Sequence, residues 1–179
     1  AMTAIGFLDQ SSGLYKKITR YHKVQKRLPG NLKAMQKAGT DVVIVANYGL
    51  PNIPINSAYA NQTDILIDTK YASVGATTAD YGKTLKRTGA QVSPDRIVDA
   101  ATCLLPNNTW FFKGVAHVNF WYDSQATKFL AELITNPEKK QSVQTVKAAT
   151  GNGQFVNTDE KQNIVPFSAD KSTNSSGTK

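Results

Sequence analysis

Five consecutive residues, Val42-Val43-Ile44-Val45-Ala46, carry no polar side chain, and four of them are β-branched. A strand with one wet face alternates in polarity. An unbroken apolar run instead predicts a strand covered on both faces, as in the parallel sheet of an α/β domain. The preceding residues agree. Leu14, Ile18, Tyr21, Val24, Leu28, Leu32, Met35 and Ala38 recur close to helical spacing, Gly39 is placed to stop a helix, and Asp41 leads into the strand. Helix, glycine and strand form the αβ step of such a domain. Pro29-Gly30 falls inside the periodic stretch and predicts one helix broken there, or two.

A second apolar strand is expected at Trp110-Phe111-Phe112, and a closing helix over Tyr122 to Ile134. That helix has Phe129, Leu130, Leu133 and Ile134 on its apolar side and Asp123 or Ser124 as N-cap. Thr3 to Leu8 is a short apolar opening and Asp9 to Gly13 a polar turn. Pro51 and Pro54 mark an irregular excursion up to Thr63, and Tyr71 to Thr88 is small and polar. Beyond Lys139 the composition shifts to Lys, Gln, Thr, Asn, Ser and Gly, with an amphipathic period only at Val143 to Ala149. Residues 3–138 therefore read as the folded part and 139–179 as a polar, flexible tail or linker, low in complexity from Ser168 to Lys179. Such a tail suggests a secreted or cell-surface protein.

Composition narrows the functional classes. The net charge of +8 is scattered or gathered on the first helix, as Lys16, Lys17, Arg20, Lys23, Lys26 and Arg27, and no nucleic-acid recognition module accompanies it. This charge reads as a solvated helix face that also holds His22, with contact to an anionic surface as the alternative, and nucleic-acid binding is not expected. The single cysteine, Cys103, excludes an internal disulfide and reads as a small buried apolar residue. With two histidines far apart in sequence, no metal motif is visible and no cofactor is expected. No apolar run reaches membrane-spanning length, and no signal peptide opens the chain.

Chemistry concentrates around the second strand. Asp95 lies in the turn Pro94-Asp95-Arg96-Ile97-Val98-Asp99, the strand follows, and His117 comes just past its end. A hydroxyl nucleophile near neutral pH needs a histidine base, and the base needs a carboxylate to fix its tautomer and steady its positive charge. Asp95 and His117 are the candidates for these two parts. Asp64, in Asp64-Ile65-Leu66-Ile67, is a rival acid, but it would require an inserted subdomain before the last strand.

The segments Asp95-Arg96-Ile97-Val98 and Gly114-Val115-Ala116-His117 resemble the end of the α/β-hydrolase fold in its lipase branch. There an Asp-x-x-Val turn is followed by the last strand and a Gly-x-x-His loop. Asn47-Tyr48-Gly49, straight after a late strand and before a proline-containing excursion, resembles the same branch. The likeness covers about residues 14 to 135, with Arg96 standing where the family usually has glycine. It implies the C-terminal part of an α/β-hydrolase-like, mostly parallel sheet with flanking helices. It also implies a serine ester hydrolase acting on an ester or lipid-like substrate, with Asp95 orienting His117. The family's Gly-x-Ser-x-Gly nucleophile elbow is absent. Ser73, the nearest serine, follows no buried strand and reads as a loop serine. The resemblance thus places the nucleophile in a missing N-terminal segment or partner chain. The alternative is a non-catalytic α/β binding or surface module.

Overall fold

The computed structural model describes residues 13–51, 61–135, 154–158 and 164–165. The expected apolar opening at Thr3 to Leu8, the turn before Gly13, the period at Val143 to Ala149 and the end from Ser168 lie outside them. The chain forms two compact units, Ala1–Val42 and Val43–Lys179.

The first unit contains α1, Gly13–Lys37, which runs on through Pro29 as one helix rather than breaking there. Proline removes a single rung of the hydrogen-bond ladder, and here long helical segments flank it on both sides. Gly39, with φ 85°, follows the helix in the left-handed region that glycine tolerates, while the Thr40 N–H bonds to the Met35 carbonyl at 3.0 Å.

The second unit is α/β. Its main sheet has β1 (Ile44–Tyr48), β4 (Thr109–Lys113), β5 (Phe155–Thr158) and β6 (Ile164–Val165) side by side in that order. The first three run parallel and β6 is antiparallel. The strand expected at Val42 to Ala46 starts later, at Ile44, and runs on to Tyr48, leaving Val43 exposed; it is a parallel neighbour of β4, with Ala46 opposite Phe111 and Tyr48 opposite Lys113. Alternation along each strand sends its side chains to two different cores. On one face Trp110, Phe112 and Val156 pack with Phe129 and Ala126 of α3 (Ser124–Thr135). The Asp123 carboxylate caps that helix by accepting the Ala126 N–H at 2.8 Å. Ile134, expected on the packed side, is exposed.

On the other face Ala46, Tyr48, Phe111 and Phe155 pack against Ala76, Ile97, Val98, Ala100 and Cys103. These last residues belong to an insertion between β1 and β4. It begins with the short helix α2 (Thr69–Ala72) and contains the two-stranded sheet β2 (Thr77–Thr78) and β3 (Val98–Asp99). Cys103 is buried, as expected from its apolar neighbours.

Phe155–Thr158 corrects the reading of everything beyond 139 as tail. Phe155 and Val156 are fully buried, and the Phe155 ring stacks on Phe111 with centroids 5.3 Å apart. Two apolar residues in a polar neighbourhood form too short a signal for periodicity, yet each fills a core on its own side of the sheet. Replacing Phe155 with Ala should lower unfolding stability in urea by about 3–5 kcal/mol. Tyr122→Ala, at an exposed ring, should change it by less than about 0.5 kcal/mol.

Candidate functional site

Parallel pairing of β1 and β4 brings the loops after both strands to the same sheet edge, where sites of α/β domains are built. The Gly114 N–H bonds to the Tyr48 carbonyl at 2.8 Å and continues the pairing past the strand ends. Gly49 turns the chain out of β1 with φ 91°, and a Cβ there would stand 3.2 Å from Lys113 Cγ. Leu50 and Thr63 then exchange backbone hydrogen bonds of 3.1 and 3.3 Å, which returns the chain to the sheet edge one residue before Asp64.

Asp64 faces His117. Its Oδ2 lies 2.7 Å from His117 Nδ1, and its carbonyl accepts the His117 backbone N–H at 2.9 Å. The second carboxylate oxygen, Oδ1, accepts the N–H groups of Leu66 at 3.1 Å and Ile67 at 2.8 Å. This tight turn holds Ile65 at φ 87°, a value that is sterically costly for a β-branched side chain. The Asp64 side chain is 5 % exposed and that of His117 is 44 % exposed. A buried carboxylate held by two backbone N–H groups therefore grips one nitrogen of a half-open ring. In the tautomer whose Nδ1–H donates to Asp64, Nε2 keeps its lone pair as the basic atom. Among the described residues, no hydroxyl or thiol is hydrogen-bonded to that ring.

Asp95, expected as the partner of His117, does other work. Its Oδ1 accepts the Ser93 hydroxyl at 2.5 Å, and its Oδ2 stands 3.1 Å from Lys113 Nζ. The side chains of Lys113 and Asp95 are 8 % and 3 % exposed, so this is a buried ion pair between the last residue of β4 and the insertion. Ser93 Oγ in turn accepts the N–H groups of Ile97 and Val98 at 2.9 and 3.0 Å. The subdomain that the sequence argument counted against Asp64 is present as the insertion, and it carries Asp95 to Lys113. Lys113 carries no motif that marks it in the sequence, although its place in the strand, two residues from Phe111, puts it on the inward face.

Tyr48 belongs to the same buried group. Burial pushes its phenol well above the ordinary tyrosine pKa, and the nearby Asp95 charge adds to the rise. Ser73 is fully buried, and its hydroxyl donates to the Thr69 carbonyl at 2.7 Å, so it is no open nucleophile. Among the described residues no group of His, Cys, Asp and Glu could hold a metal ion, and no helix is long and apolar enough to cross a membrane.

No family model, curated protein or solved structure matches the chain.

Two measurements follow from the buried group. Asp95→Ala leaves the Lys113 charge buried without its carboxylate and should destabilise by about 3–5 kcal/mol, while Asp95→Leu combined with Lys113→Met should recover most of that loss in urea unfolding. Alkaline pH provides the second. Below about pH 10 Tyr48 is protonated in both the folded and unfolded chain; above it the unfolded phenol loses its proton while the folded one keeps it. Stability should therefore fall with rising pH from about 10 upward, and Tyr48→Phe should flatten that part of the profile.

Proposed function

We propose that the chain is the C-terminal part of a lipase-like serine ester hydrolase, with Asp64 as the triad acid and His117 as the base. The observation that carries this reading is the 2.7 Å contact between a buried carboxylate and a half-exposed imidazole, at the sheet edge where the loops that follow two adjacent parallel strands meet. Asp64 takes the role that the sequence resemblance gave to Asp95. Asp64-Ile65-Leu66-Ile67 has the same acid-x-x-aliphatic form, and Ile65, like Arg96 after Asp95, occupies a positive-φ position where the resembled family usually has glycine.

In this mechanism His117 Nε2 takes the proton of a serine hydroxyl as it attacks the ester carbonyl, and then returns it to the departing alcohol. Asp64 stays ionised, fixes the tautomer and steadies the imidazolium formed in between. The Leu66 and Ile67 N–H groups keep its other oxygen in place, so the carboxylate does not rotate away from the ring. The nucleophile and the amides that stabilise the oxyanion are assigned to a segment N-terminal to α1 or to a partner chain.

The test compares the 179-residue chain with a version extended upstream, using a fluorophosphonate probe and a short-chain p-nitrophenyl ester. The extended protein should label on serine and turn over the ester, and the 179-residue chain should do neither. His117→Ala should abolish turnover and Asp64→Asn should lower it roughly 10⁴-fold, as removal of a triad carboxylate does. Turnover that survives Asp64→Asn in a folded protein would end this assignment. An extended protein that never labels would favour the non-catalytic binding module.

A further inference from the structure

The Asp64–His117 pair and the chemistry proposed for it make no use of α1. The helix carries Lys or Arg at eight positions and has no Asp or Glu. At about 100° per residue, Ile18, Tyr21, Val24, Leu28, Leu32 and Met35 fall within about a third of its circumference, together with Lys17 and Gln25, while Lys16, Arg20, Lys23, Lys26, Arg27 and Lys33 fall on the opposite side. None of its described side chains is buried, and the apolar stripe is the most conspicuous case. Tyr21 is 61 % exposed, Val24 58 %, Leu28 40 % and Met35 45 %.

We propose that α1 is a membrane-surface helix that lies in the plane of an anionic bilayer. A solvated helix accounts for the basic side but not for a mainly apolar face on which Tyr21, Val24, Leu28 and Met35 are exposed, since such a face normally meets a core. Nucleic acid would satisfy the charge and leave the stripe in water. An anionic lipid surface satisfies both, because the stripe enters the boundary between headgroups and acyl chains while the lysines and arginines meet lipid phosphates. Tyr21 suits that depth, with its ring among acyl chains and its hydroxyl at the headgroups. The helix is not apolar enough to cross a membrane, which leaves the in-plane orientation.

The experiment is co-sedimentation of the full 179-residue chain with vesicles of phosphatidylcholine alone and of an equimolar mixture with phosphatidylglycerol. Binding is expected to the mixed vesicles and to be weak on phosphatidylcholine. It should fall roughly tenfold or more in high salt or when Lys16, Lys23 and Arg27 are changed to Gln. Tyr21→Asp with Leu28→Asp should lower it by a similar factor, with the urea transition of the second unit as the control for folding. No binding to the mixed vesicles overturns the proposal. Unchanged binding of the double Asp variant also overturns it, since the attraction would then be ionic alone. A parent chain that dimerises without lipid, and whose dimer is lost in the double Asp variant, would assign the stripe to a second copy instead. Vesicle binding does not depend on Asp64 or His117, so a failure here leaves the hydrolase reading standing.

Discussion

The parallel pairing of β1 with β4 is the constraint on which the site depends. It fixes the ends of two strands that are remote in sequence at one edge of the sheet, and it leaves the Asp64 and His117 loops only a hydrogen bond apart. The pairing is itself a product of burial. Each strand is apolar on both sides, so each needs a cover on both faces, and α3 and the insertion provide these covers. Once both cores form, a one-residue slip would drive Trp110 and Phe112 into the space of Phe111, so the register is fixed and the sheet edge with it.

Two carboxylates compete for interest near that edge, and their surroundings divide the work. Asp95 is enclosed with Lys113, Ser93 and Tyr48, a group that ties the insertion to the end of β4 and presents no open side. Asp64 is buried as deeply, but its partner ring is half open. An acid–base pair needs this asymmetry: a carboxylate shielded from water, and an imidazole with one nitrogen free to meet a substrate. The contorted backbone at Ile65 fits the same picture, because the turn that lets Asp64 collect two N–H groups forces a side chain into a conformation it disfavours.

Much of the framework was legible in the chain. Trp110 to Phe112 announces a buried strand by its lack of alternation, Val42 to Ala46 announces a strand whose position was two residues off, and Gly39 marks the end of α1. His117 stands out because no other histidine follows a strand. The choice of acid was harder to read. Distance along the chain favours Asp95 only if the intervening residues do not fold back as an insertion, and the small, polar stretch from Tyr71 to Thr88 gives little sign that they do. The buried lysine offered a better clue. Lys113 shares the inward face of β4 with Phe111 and needs a carboxylate, which removes one aspartate from the list of catalytic acids. Phe155 and Val156 escaped notice because two residues show no period.

The most direct test of the central claim needs neither a nucleophile nor a substrate. Long-range ¹H–¹⁵N NMR spectra of the 179-residue chain report which ring nitrogen of each histidine carries the proton in the neutral form. His117 should be the Nδ1–H tautomer, with its proton signal far downfield from the bond to Asp64. Asp64→Asn should remove that downfield signal, and Asp95→Asn, in chain that remains folded, should leave it in place. A downfield proton that survives Asp64→Asn and vanishes in folded Asp95→Asn would contradict the account.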